Sequence, residues 1–174
     1  MFLVIIIVAL AAIGAALFVV KGRVAPKLIV GDASWDGTFP CEAPAFIGPA
    51  YVYADGKETP NVRFGVPIVG YRAAPDLIVA VDFGFQVTAS QALSLADKKN
   101  TRLPSSKDVK RLLEKWDEIN ALKVAVEDIP LSEAFWAMLD GMPEFYSRKT
   151  KTFILADKRL LSERHAEAIL LIER

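Results

Sequence analysis

The sequence predicts an α+β fold in which an N-terminal transmembrane helix precedes one small domain of irregular antiparallel sheets carrying two helices. Three observations predict it. Residues Phe2 to Val20 hold no charged or strongly polar side chain. Between Phe46 and Val87, short runs of branched and aromatic residues are broken up by Pro60, Pro67 and Pro75. Two capped amphipathic segments then open at Thr88 and Ser105.

The apolar run includes Phe2, Leu3, Gly14, Phe18 and Val20. A helix rises about 1.5 Å per residue, so the run spans roughly 28 Å, close to the hydrocarbon core of a bilayer. In lipid every backbone N–H and C=O must be satisfied internally, which a helix does. The alternative is a secretory signal peptide, which carries positive charge ahead of a shorter apolar core and small residues at its cleavage site. Only the Met1 amino group precedes this core, and Val24-Ala25-Pro26 is a poor cleavage site. The pattern favours a retained anchor over residues 1–23. Lys21, Arg23 and Lys27 follow the run, and cations at a membrane end favour the cytoplasmic side. The expected topology is single-pass, with the C-terminal domain in the cytoplasm. The lone Cys41 forms no internal disulfide, in keeping with a reducing compartment. Ala11 and Ala15 share one helix face with Gly14 at its edge, a small-residue spacing that lets helices approach and offers a route to self-association. Alanine is also common in apolar helices without any such role.

Residues 24–49 are rich in Pro and Gly and read as a linker that orders against the domain. Residues 50–174 are enough for one core. Tyr51-Val52-Tyr53 runs to the turn pair Asp55-Gly56. Leu77 to Val81 is a run of apolar, mostly branched residues, best read as a buried strand. Phe83, Phe85 and Val87 then alternate with polar residues or glycine.

Thr88 with Gln91, and Ser105 with Asp108, each match a capping box, in which a hydroxyl and the side chain three residues on satisfy free backbone donors. After Ser105, the residues Val109, Leu112, Leu113, Trp116 and Ile119 form one apolar stripe, predicting a single helix from about Ser106 to about Asn120. Phe135-Trp136 reads as a buried aromatic pair and Thr152 to Leu155 as a strand. For Ala168 to Ile172 both helix and strand fit.

The stretch Thr101 to Val109 (Thr-Arg-Leu-Pro-Ser-Ser-Lys-Asp-Val) resembles the W-R-L-P-T-x-x-E signature of bacterial C-type-lectin-like domains of the Lcl type. Leu103 stands at the turn anchor, Ser105 where the family has its capping Thr, and Asp108 where it has Glu. Thr101 replaces the family's Trp, and no Ser-Ser follows Trp136. The resemblance covers roughly residues 77–174. It implies two helices packed on irregular antiparallel sheets, with the sequence-distant ends of that stretch paired as neighbouring strands.

No catalytic constellation is visible. His165 is the only histidine, and nothing ties it to Cys41. One Cys and one His make a zinc site improbable, and calcium binding would need clustered oxygen ligands. Formylglycine-generating enzymes, distant relatives of the same family, need late cysteines that this chain lacks. No phosphate-binding glycine loop occurs, so no cofactor or metal is expected. Lys+Arg and Asp+Glu both number 21, which leaves no electrostatic footprint for nucleic acid. Lys149, Lys151, Lys158, Arg159 and Arg164 are interleaved with acids and read as a solvated face rather than a lipid-binding one. Trp35, near the anchor, suits the membrane interface. The expected function is binding, not catalysis: an accessory or structural subunit of a membrane-associated assembly, whose partners are the bilayer and other protein subunits. The alternative is a lectin-like recognition domain displayed outside the cell. An enzyme using Asp76, Asp82 or Asp108 is a third reading, and Asp108 is better explained as a cap.

Overall fold

The computed structural model describes residues 27–40, 48–81, 86–154 and 164–173. Its strands are β1 (Ala50–Tyr53), β2 (Glu58–Thr59), β3 (Ile68–Ala74), β4 (Leu77–Ala80), β5 (Thr101–Arg102), β6 (Ala134–Leu139), β7 (Met142–Ser147), β8 (Thr152–Ile154) and β9 (Leu171–Ile172). Its helices are α1 (Ala89–Lys98), α2 (Ser106–Glu114) and α3 (Trp116–Glu127). One antiparallel sheet has the order β2-β1-β3-β4-β9-β5, and a second has the order β6-β7-β8. Both edges of the larger sheet are two-residue strands, which limits the backbone left open to edge-to-edge pairing.

The larger sheet is buried on both faces, and its strands alternate accordingly. Tyr51, Tyr53, Tyr71, Leu77, Val79 and Leu171 join Val109, Leu112, Trp116, Ile119 and Phe135 in one core. Val52, Val69, Ile78, Ala80 and Ile172 join Ala89, Ala92, Ala96, Leu103 and Trp136 in the other. This is why Leu77 to Val81 carries no polar residue: each alternate side chain enters a different core. The ambiguous run at Ala168 is extended for the same reason, with Ile169 and Leu171 on one side and Leu170 and Ile172 on the other. Phe135 and Trp136 are both buried, but as neighbours on a strand they serve opposite cores.

The chain places β9 between β4 and β5, pairing Ile78 with Ile172 and Thr101 with Ile172. The two ends of the stretch from 77 to 174 therefore lie side by side. The 27–40 stretch is built into the domain. Val30 bridges Ile68 in parallel, and the Lys99 ammonium donates to the carbonyls of Asp32, Ala33 and Trp35 at 3.3, 3.0 and 2.7 Å. Gly37 is required there: at φ +86, a Cβ would fall 1.8 Å from the Lys99 carbonyl oxygen.

The helical part of the expected fold is corrected on two counts. Among the described residues the domain has three helices where two were expected, because the stripe after Ser105 is divided: α2 stops at Glu114, and Lys115 (φ −108, ψ 10) leaves the helical region before α3 begins at Trp116. The stripe survives the break because both helices face one core. The turn at Lys115 sets the Trp116 ring against Phe135, 5.8 Å between centroids. Among the described residues, moreover, no helix is long and apolar enough to cross a membrane. The longest, α3, has 12 residues, or about 18 Å. The run with Phe2, Leu3, Ala11, Gly14, Ala15, Phe18 and Val20, together with Lys21 and Arg23, lies outside the described residues.

Candidate functional site

A groove of about 720 Å³ runs between the β3–β4 turn, β9 and the start of α2. Its walls carry Asp76, Arg102, Asp108, Arg111 and Glu173 around Ile78 and Ile172. The turn at its head is fixed by local sequence. Leu103 is buried beneath it, and Ser105 is the N-cap of α2. The Ser105 hydroxyl accepts from the Asp108 N–H at 3.3 Å, while the Asp108 carboxylate accepts from the Ser105 N–H at 2.9 Å and its hydroxyl at 2.6 Å. The same capping geometry holds at Thr88 and Gln91.

Arg102 adds what the capping motif alone does not disclose. Its guanidinium donates to Asp108 at 2.5 Å and to Glu173 at 2.5 Å, tying β5, α2 and the strand end beyond β9 together. Arg111 pairs with Asp76 across the groove. Burial alone would raise the Asp108 pKa, but Arg102 and the two Ser105 donors outweigh it and hold the carboxyl at about 2. Asp76 is also lowered, chiefly by Arg111. Carboxylates held so far down are poor proton acceptors at neutral pH. What this groove offers is an apolar floor between paired charges. A shallower apolar groove of about 390 Å³ adjoins it, lined by Leu93, Ala96, Leu103 and Met138 and sharing Arg102 and Ser105.

The cap supports one graded prediction. Ser105→Ala costs about 1 kcal/mol. Asp108→Asn costs about 2 kcal/mol, since a carboxylate whose pKa is lowered on folding stabilises the native state in its ionised form. That contribution is fully present above the unfolded value of 3.8 and is lost as pH falls toward about 2. Urea unfolding at pH 7 and at pH 3 checks it: the gap between wild type and Asp108→Asn narrows at the lower pH.

Elsewhere charge is locked inside the domain. Arg72 is fully buried against Glu58, and the Lys123 ammonium meets Glu127 at 2.8 Å while Glu127 also accepts from the Tyr71 hydroxyl. The buried Glu167 accepts from the Ser132 N–H at 2.6 Å.

The other residues singled out in the sequence do not converge. Lys27 is exposed. Trp35 is not at a surface: it is 7% exposed, sits in the second core and donates its indole N–H to Thr38. Its neighbours are polar and glycine-rich in sequence, which hid this burial. His165 is exposed, and Arg164 lies over the Phe145 ring. Cys41, Asp82, Lys158 and Arg159 lie outside the described residues. Among the described residues, no group of three His, Cys, Asp or Glu side chains could hold a metal ion. Arg102, Arg111 and Glu173 are site residues to which the sequence assigns no role, and only the Arg102–Asp108 spacing within the capped turn hints at the first of them. No protein-family model, no curated protein and no solved structure matches this chain.

Proposed function

We propose that this protein is a non-catalytic accessory or structural subunit of a membrane-associated assembly, held at the bilayer by its N-terminal apolar run with the α+β domain on the cytoplasmic side. The observation that carries this is the uncharged stretch Phe2–Val20 followed by Lys21, Arg23 and Lys27. Two features support a binding role. Asp76, Arg102, Asp108, Arg111 and Glu173 in the groove are paired with one another, and the chain passes from Lys27 into the sheet within a few residues, which would hold the domain close to the lipid. The partners in this reading are the bilayer and other protein subunits, with the Ala11/Ala15 face as a route to self-association.

The test is fractionation and topology. The chain stays with membranes through alkaline carbonate and high-salt washing, because apolar burial and not charge retains it. A reporter active only in the cytoplasm works when fused after Arg174. Carbonate release refutes the anchor.

A second reading is a lectin-like recognition domain displayed outside the cell. It is favoured by the Arg102-Leu103-Pro104-Ser105 turn with Asp108, together with the pairing of β4 with β9. It requires the opposite topology, so activity of a periplasm-dependent reporter at the same fusion point selects it.

A further inference from the structure

We propose that the loop from Pro60 to Pro67 is a second membrane contact, which seats Phe64 and Val62 in the headgroup region of an anionic bilayer. This rests on the membrane-anchored reading above. Phe64 is 54% exposed, more than any other large hydrophobic residue among those described, and Val62 is 37% exposed. Scattered apolar side chains on a surface are ordinary; what sets these apart is where the loop sits and how it is held.

The loop is fixed from inside. The Tyr53 hydroxyl accepts from the Arg63 N–H at 2.7 Å and donates to the Asn61 carbonyl at 3.3 Å. Arg63, between the two exposed apolar residues, turns back over the Tyr53 ring, 4.8 Å from its centroid, and pairs with Asp55 at 3.0 Å. The Gly65 N–H donates to the Lys27 carbonyl at 3.2 Å. The apolar tip is therefore bonded to the residue that lies only seven positions after Val20. Seven residues reach at most about 25 Å when fully extended, and any less extended path brings the tip nearer.

Direction agrees with distance. The loop joins the sheet at the start of β3, which is also the end of β1 and the point where the chain from residue 27 enters. Lys27 and Lys57 are exposed at this end, and the nearby carboxylate of Asp55 is already engaged by Arg63. An aromatic tip with two exposed lysines at the same end of the sheet matches the chemistry of an anionic lipid surface: the ring suits the interface and the cations suit the headgroups. A protein partner would need no such alignment with the chain's entry point.

The experiment uses the full chain with Cys41→Ser, reconstituted in phosphatidylcholine–phosphatidylglycerol vesicles. A nitroxide is attached at single cysteines replacing Phe64, Val62 (which leaves Phe64 in place), Leu10 or Met142. Relaxation by oxygen, which concentrates in lipid, is compared with relaxation by a water-soluble nickel chelate supplied on both sides. The labels at 62 and 64 are expected to favour oxygen, as the label at 10 does, while the label at the exposed Met142 favours nickel. If 10 favours oxygen but 62 and 64 behave like 142, the loop contact is wrong and the anchor stands. If 62 and 64 are shielded from both relaxants, a protein covers the loop, and the lipid assignment falls. If 10 itself favours nickel, the anchor and the loop contact fail together.

Discussion

Trp116→Ala lowers the stability of the domain by about 3 to 5 kcal/mol, several times the cost of removing the Ser105 cap on the adjoining helix. Trp116 is 3% exposed and opens α3. Its ring stacks on Phe135 at 25° between planes, and the Arg148 guanidinium lies 5.0 Å from its centroid on the outer side. Truncation removes the ring that joins α2, α3 and β6 and leaves a cavity that the sheet behind it cannot close. For a domain of this size the thermal midpoint falls by roughly 6 to 20 °C, measured on a fragment comprising residues 24–174. A midpoint that barely moves would mean that Trp116 is exposed, and that the face made by Val109, Leu112 and Leu113 is a docking surface instead of core.

Glu58→Gln is expected to cost a similar amount, about 3 to 5 kcal/mol, by leaving a buried guanidinium without its counter-charge. The Arg72 Nη2 and Nε atoms lie 2.7 Å from the two Glu58 oxygens, with both side chains essentially inaccessible to water. The remaining Arg72 nitrogen serves the β3–β4 turn, donating to the carbonyls of Ala74 and Pro75. Replacing a buried pair by apolar residues of similar volume is often neutral. Here the double variant Glu58→Met with Arg72→Met recovers only part of the loss, because the two turn carbonyls then lack their donor. Urea titration of the wild type and the two variants separates these terms, and full recovery in the double variant would show that Arg72 contributes nothing to the turn.

Much of the domain could be read from local pattern. Both capping boxes, the strand at Leu77 and the burial of Trp116 and Ile119 follow from spacing that repeats within a few residues. The break at Lys115 is not legible in the sequence, because the apolar stripe runs on across it; the contact of Trp116 with Phe135 that accompanies the break is long-range. The burial of Trp35 is hidden from the sequence for a related reason. Its segment has no periodicity, and its burial depends on Lys99, more than sixty residues away, which satisfies the carbonyls around it. In the groove, Asp108 was legible as a cap, whereas its partner Arg102 and the more distant Glu173 meet only when β9 is inserted beside β5.

The way the chain enters the sheet also determines how the domain bears tension. Residues 28 to 31 run parallel to the start of β3, joined through Ile68 N–H to Ile29 and Gly31 N–H to Ile68, with Gly65 N–H on Lys27 just ahead. A pull on Lys27 can be applied along the axis of that segment. The three bonds are then loaded together in shear, whereas a hairpin pulled across its strands opens one bond at a time. Behind them, the ammonium of Lys99 grips the carbonyls of Asp32, Ala33 and Trp35 as a stop. Force arriving from a moving attachment would therefore be passed to the six-stranded sheet as a whole, leaving the groove beside α2 undistorted until that clamp gives way.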